Sequence, residues 1–381
     1  MANNKAFKVK NGLLAGRYLL SNGTETAGSE GYGLANASYD SVSKVLGAGN
    51  TVPNTFVFNN DGTKLFCQDG NDRVYEYHLS TAYDVTTATL DSNFLLTGQT
   101  TSSSSLAFNS DGTKMYIGEF TNDTVLQYSL STAFDVSTAS YDSVTLNVSG
   151  QSGNPSNLLF NSDGTILWVS DGATPAIYQY NLSTGFDLST GSYASKSLNL
   201  NVSPVLAVNG FTFNSDGTKL LVIGSSSTLY SYTLSTVYDI TTASRDTDIS
   251  FSVATQDASP TDFLFYNSGQ KMLILGAAAD TIYQYSTVSY TQTLDLSTGT
   301  TFAFTPSGAT AVSFTNPPAS GLACAFTVEI NGDGSAITWP ASVKWHEATT
   351  PTATATKEIY AFITTDGGTT YYGKQAATEL A

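Results

Sequence analysis

The residues of this chain whose types could do chemistry are two histidines, two cysteines and a series of aspartates that recur at a fixed interval. A nucleophilic centre needs a base beside its nucleophile, and a histidine-based metal centre needs several ligands together. His78 and His346 stand far apart, and the copies of the His78 position elsewhere in the chain are Ser129, Asn181, Thr233 and Ser286. Both histidines therefore read as structural or surface residues. Cys67 and Cys324 lie in separate apolar runs and read as buried free thiols rather than as a disulfide. Asp61, Asp111, Asp163 and Asp216 each sit in an Asn-x-Asp-Gly-Thr string, and the fifth copy has Ser268 instead. A calcium loop needs several oxygens at short alternating spacing, which this string does not supply, so these aspartates read as turn formers. No catalytic residue, metal or cofactor emerges, and the chain is expected not to be an enzyme.

The interval is the stronger signal. Phe-Asn-x-Asp-Gly-Thr is anchored at Phe58, Phe108, Phe160 and Phe213, with a degenerate copy at Phe265. A period of about fifty residues fits a propeller blade and excludes shorter solenoid repeats. Apolar alternation precedes each Asp-Gly, as in Phe56 and Phe58, and a second apolar run follows it, as in Lys64-Leu65-Phe66-Cys67. Asp-Gly between two such runs is a hairpin signal, because the turn needs a positive φ that glycine adopts most easily. A third strand carries alternating aromatics (Tyr75 and Tyr77, Tyr178 and Tyr180). Leu-Ser-Thr, an acidic turn residue and a fourth strand come next. Four antiparallel strands per period make a blade. The fifth repeat ends near Tyr285 without its fourth strand, yet Ala-Ser-Tyr-Asp-Ser-Val at 37–42 is identical to 139–144. The N-terminal strand is expected to complete the last blade and leave the ring without an open edge.

The fold expected is all-β: a five-bladed propeller over 36–287, closed by an N-terminal strand, then a small β-sandwich over 288–381. Residues 1–35, rich in Gly and Ser, read as a docking arm. Within a blade, the loops joining strands one to two and three to four share a face, and here they are nearly constant. The loops of the other face vary, among them 47–54, 97–105, 149–157, 202–210 and 254–260. Variable loops on a rigid ring are where binding is usually placed. The ligand-binding candidates on that face are Asp69, Asp72, Phe120, Asp123, Asn154, Asp171 and Asp257. Phe120 is chosen because it does not recur, whereas most of the 22 Tyr and 20 Phe occupy repeating interior positions.

Charge limits the partners. With 15 Lys+Arg against 31 Asp+Glu, the net charge of -16 opposes phosphate backbones and anionic lipid. No nucleic acid and no membrane partner is expected, and Met1–Lys10 has no apolar stretch resembling a secretory leader.

The Asn-x-Asp-Gly-Thr-Lys repeat resembles the lactonase/YVTN type of propeller. That resemblance implies a metal held by polar groups around the central channel, with Asp69, Asp72, Asp123, Asp171 and Asp280 as loop acids. The shared position of Asp72, Asp123 and Asp280 reads instead as strand capping. The tail resembles the C-terminal β-domain of virion structural and fibre proteins of tailed, marine-type bacteriophages, through Trp-Pro-Ala-Ser-Val-Lys-Trp at 339–345 and Thr-Thr-Asp-Gly-Gly-Thr-Thr-Tyr-Tyr-Gly at 364–373. The opening at 5–13, Lys-Ala-Phe-Lys-Val-Lys-Asn-Gly-Leu, is similar to the same proteins. This resemblance implies a virion protein (tail fibre, spike or capsid decoration) made in the host cytoplasm and exposed on the particle. Its expected role is host-surface attachment. Its partners would be other virion proteins through the arm, a host glycan or protein, and further copies of itself. The alternatives are a lactonase-like or glycan-processing propeller enzyme and a bacterial surface lectin.

Overall fold

The computed structural model describes residues 32–380 apart from 48, 50–51, 97, 201–204, 206, 268, 288–289, 307–309, 333 and 335–336, together with 17–19 and 25–27. The described residues fall into two compact units, Tyr32–Thr287 and the remainder. The docking-arm expectation falls largely on residues outside the described ones.

Tyr32–Thr287 is a five-bladed propeller. Blade 1 consists of Pro53–Phe58, Lys64–Asp69, Arg73–Leu79 and Ala88–Leu95, paired antiparallel in that order. The inner strands of blades 2 to 5 are Ser103–Phe108, Pro155–Phe160, Val208–Phe213 and Pro260–Tyr266. Second strands such as Lys64–Asp69 are buried at every position after the first, because neighbouring blades cover both faces. Fourth strands such as Gly191–Asn199 alternate, as an outer edge strand should. Phe66, Phe108 and Phe134 pack together where blades 1 and 2 meet, and Trp168, Phe213 and Tyr238 do so where blades 3 and 4 meet.

Ring closure follows the repeated hexapeptide. Ser38–Val45 pairs antiparallel with Thr281–Ser286, matching Tyr39 to Tyr285 and Val42 to Gln284, with Asp40 and Ser41 bulged between them. Ser41 takes φ 59° and its counterpart Ser143 takes φ 58°. The bulge turns the acid inward: Asp40 accepts from Lys271 Nζ (2.8 Å), Gln284 Nε2 (2.9 Å) and Ser286 Oγ (2.7 Å). Asp142 does the same with Lys114, Gln127 and Ser129. The propeller begins at Tyr32 rather than at 36. The Tyr32 ring covers Gly269 as Tyr83 covers Gly62, and Leu34–Asn36 is the short helical turn that precedes every fourth strand.

At the Asx turns, Asp61 Oδ1 accepts from Thr63 N (3.0 Å) and Thr63 Oγ1 (2.6 Å), and Gly62 has φ +73°. An aromatic ring from the next turn lies flat against each such glycine. In blade 3, a Cβ on Gly164 would come within 2.3 Å of the Phe186 ring. Gly164→Ala is therefore expected to cost about 2 kcal/mol, from the left-handed backbone and the displaced ring together. Urea unfolding against Ser162→Ala, a neighbouring control, would measure it; equal midpoints would refute the packing argument.

The second unit has a three-stranded sheet (Tyr290–Asp295, Thr310–Thr315, Ile337–Thr338) and a five-stranded sheet (Thr301–Phe304, Cys324–Asn331, Lys357–Thr364, Tyr371–Leu380, Val343–Trp345). The two sheets share one core, in which Leu294 and Val312 meet Phe326, Tyr360 and Phe362, so the unit is a β-sandwich. The two tryptophans of the 339–345 string belong to that core: Trp339 contacts Trp345, Tyr360 and Phe362. Arg17–Leu19 and Glu25–Ala27 pair antiparallel.

Candidate functional site: a cup on the propeller axis

All five inner strands carry a bulge at their second residue, at Asn54, Ser104, Ser156, Asn209 and Thr261. Four of the bulged side chains staple their blade to the next: Asn54 Nδ2 donates to Ser103 O (3.2 Å), Ser104 Oγ to Pro155 O, Ser156 Oγ to Val208 O (2.8 Å) and Asn209 Nδ2 to Pro260 O (2.7 Å). A bulge re-aims the residue after it. Here that residue is Thr55, Ser105, Asn157, Gly210 or Asp262, one from each blade in a single layer.

Asp262 is the one acid of this layer. Its Oδ2 accepts from Thr55 Oγ1 (2.6 Å) and Phe56 N (3.3 Å), across the seam between blades 5 and 1. Its Oδ1 accepts from Phe263 N (2.8 Å) and Asn157 Nδ2 (3.3 Å). Gly210 makes room for it, since a Cβ there would lie 2.4 Å from Asp262 Oδ1. The carboxyl is 4% exposed, and burial pushes its pKa up to about 7 against the downward pull of the hydrogen bonds from Thr55, Phe263, Phe56 and Asn157.

Above this layer the channel widens into a cavity of about 550 Å³. Thr55, Asn157 and Asp262 form its floor, Phe56, Leu158, Phe211 and Phe263 its lower wall, and Asn60, Tyr83 and Asn267 its mouth. The mouth is on the face of the Asx turns, opposite the variable loops. Tyr83 and Tyr266 stack there (5.3 Å, 11° between rings), held by Tyr83 Oη to Asn60 O (3.0 Å) and Tyr266 Oη to Gln284 Oε1 (2.8 Å). Tyr266 replaces the asparagine that closes the other four turns, so the degenerate repeat carries two departures that meet in one cup. A buried carboxyl with a near-neutral pKa at the base of an apolar cup is suited to moving a proton to or from a bound molecule.

The variable-loop candidates lie on the opposite face, and the structure brings none of them into the cup. Asp69 accepts from Asn71 N (3.0 Å) and Arg73 N (3.2 Å), Asp171 from Ala173 N (2.7 Å) and Thr174 N (2.9 Å), and Asp257 from Ser259 N (2.7 Å). Asp72, at φ 58°, accepts from Ser103 N (2.7 Å) and Ser103 Oγ (2.8 Å) in the next blade. Asp123 and Asn154 hold loop backbone through their carbonyls, to Val148 N and Gly172 N. Phe120 is the exposed side chain of the set. Asp280, at φ 48°, serves a turn as well, its carbonyl accepting from Leu46 N (2.9 Å).

The channel metal implied by the lactonase-type resemblance does not fit this donor set. The axial layer offers one carboxylate, engaged by four donors. Asp69, Asp72 and Asp171 are likewise occupied as acceptors within loops, and no group of three His, Cys, Asp or Glu is placed to hold a metal among the described residues. Sequence reasoning passed over Asp262. The available signal was the position three before each anchoring Phe, which reads Thr, Ser, Asn, Gly, Asp from blade to blade inside an otherwise repeating strand.

No protein-family model matches the chain, and no curated protein matches it. Among solved structures it is similar to a protein described provisionally as a 6-phosphogluconolactonase from Bacteroides uniformis (12% identity, 60% of this chain and 64% of that one, TM-score 0.41). It is also similar to a periplasmic gluconolactonase of Pseudomonas aeruginosa (15% identity, 61% and 66%, TM-score 0.40) and to a protein from Lactobacillus plantarum (16% identity, 61% and 67%, TM-score 0.40). The chain spans about two thirds of the length of each. The expectation of a virion attachment protein without enzymatic activity is corrected here. Two of these solved structures, the Bacteroides and Pseudomonas proteins, carry lactonase names, and none carries a virion name; at these identities the likeness is one of fold alone.

Proposed function

We propose that this chain is a propeller hydrolase that opens a small lactone or ester in the axial cup, with Asp262 as general base. The observation that carries the reading is a single buried carboxyl on the floor of an apolar cavity, where burial pushes its pKa up to about 7. A base poised near working pH accepts a proton effectively and returns it readily. In the reaction, ionised Asp262 takes a proton from a water as the water oxygen bonds to the substrate carbonyl carbon. The carbon–oxygen bond of the ring then breaks, and protonated Asp262 passes its proton to the departing oxygen, leaving a hydroxy acid. For the water to reach the carboxyl, the long Asn157 Nδ2 contact (3.3 Å) gives way at Oδ1, while Thr55 keeps the group oriented and Gly210 leaves it the space.

The test is turnover of a panel of γ- and δ-lactones and simple esters by the purified full chain from pH 5 to 9. Expected is a kcat/KM that rises through about pH 7 to a plateau, because the ionised form is the base. A complete lack of turnover, or a rate flat across that range, would overturn the assignment.

A further inference from the structure

The cup has a second lobe. A cavity of about 270 Å³ lies over blades 2 and 3 and shares Val57, Phe58, Leu106, Leu158 and Leu159 with the first. Its lining includes one small side chain. In the ring of residues just before the anchoring phenylalanines, blade 2 has Ala107 where the others have Val57, Leu159, Thr212 and Leu264. The space left by Ala107 is bounded by the rings of Phe108, Phe134, Phe160 and Phe186. No Lys, Arg or His lines either lobe, and Asp262 is the one carboxylate among their lining residues.

We infer that the cup takes a neutral lactone or ester bearing an apolar arm, with the reacting carbonyl over Asp262 and the arm in the lobe opened by Ala107. This inference rests on the hydrolase reading for its reacting group, whereas the arm rests on the lobe alone. A phosphate or carboxylate on the substrate would lose its water in this cup with no cation to replace it, and would face an ionised Asp262. An alkyl arm loses nothing polar and gains apolar contact, worth about 0.8 kcal/mol for each fully buried methylene.

The experiment uses the full chain and γ-lactones bearing hydrogen or a linear alkyl substituent of two, four or six carbons, with 6-phosphogluconolactone as the anionic probe. Turnover and calorimetric binding are measured for each. Expected is a kcat/KM and an affinity that rise roughly two- to four-fold per methylene over the first carbons, with the phosphorylated probe weakest. In Ala107→Leu, which fills the lobe, the ratio between the six-carbon and unsubstituted lactones should fall towards one. Leu159→Asn, on a half-buried side chain lining both lobes, should lower the same ratio and serves if the leucine variant does not fold. Binding that tightens with chain length without turnover would uphold the lobe and sink the hydrolase reading. Turnover indifferent to chain length, or a preference for the phosphorylated probe, would sink the lobe and leave the hydrolase reading standing. Neither binding nor turnover of any probe would overturn both.

Discussion

Asp262→Asn is expected to lose turnover by about 10²- to 10⁴-fold, the usual worth of a positioned base, and at the same time to melt higher than the parent above pH 7. The second effect follows from the direction of the pKa shift. An aspartate in the unfolded chain titrates near 3.8, whereas Asp262 in the folded chain titrates at about 7. Between those values the folded chain keeps a proton that the unfolded chain has released, so stability declines as pH rises through that window. Above it, the ionised buried carboxylate costs on the order of 4 kcal/mol. Asparagine cannot ionise, and its oxygen can accept from Thr55 Oγ1 and Phe56 N as Asp262 Oδ2 does. The stability gain should be clear at pH 8 and vanish near pH 4, as read by thermal unfolding at both values beside kcat/KM at pH 8. A variant that melts lower than the parent at pH 8 would make Asp262 a structural hydrogen-bond hub and remove the basis for the hydrolase.

Asp40→Ala should be the most damaging single change away from the cup, at about 3 kcal/mol. Asp40 is buried, and its side chain holds Lys271, Gln284 and Ser286 of the blade that its own N-terminal strand completes, more than 230 positions away. Truncation leaves Lys271, one-fifth exposed, without its counter-charge and with its remaining bond to Ser286 Oγ. Removing one member of a buried pair costs about 3–5 kcal/mol, and the partial exposure of Lys271 places this case at the lower end. Asp142→Ala breaks the same arrangement at a more exposed site inside blade 2, where Lys114 and Asp142 are 3.3 Å apart, and should cost less. Melting temperatures of the two variants side by side check the order. Asp142→Ala being the worse of the two would show that the closing strand contributes no more than any other fourth strand.

The propeller was readable in the sequence because its cause is local. Apolar alternation, an Asp-Gly turn and a tyrosine-bearing third strand recur within every fifty or so residues, and each is set by neighbours a few positions away. Closure was readable for a different reason: the strand at 37–42 repeats the fourth strand at 139–144 letter for letter, and each sets an aspartate against a lysine and places a serine at positive φ. The site was not readable in that way. Thr55 and Asp262 are separated by 207 positions, and only closure of the ring brings them to 2.6 Å. Along the strand Pro260–Tyr266, Asp262 looks like an ordinary outward-facing polar residue, and the bulge at Thr261 that aims it at the axis leaves no mark in the local pattern. The loop acids drew attention because binding often sits in loops, but Asp69, Asp171 and Asp257 accept backbone bonds that shape those loops.

Strand exchange at the last blade also makes the propeller a cassette. Tyr32 N bonds to Gly269 O (2.7 Å) and Thr287 N to Gln270 O (2.9 Å), so the chain enters and leaves the ring at one turn. A module whose two ends adjoin can be carried inside another domain without stretching its host, or be cut free at residues 31 and 288 as a self-contained piece. A ring sealed by its own first strand asks its surroundings for two neighbouring attachment points and nothing more.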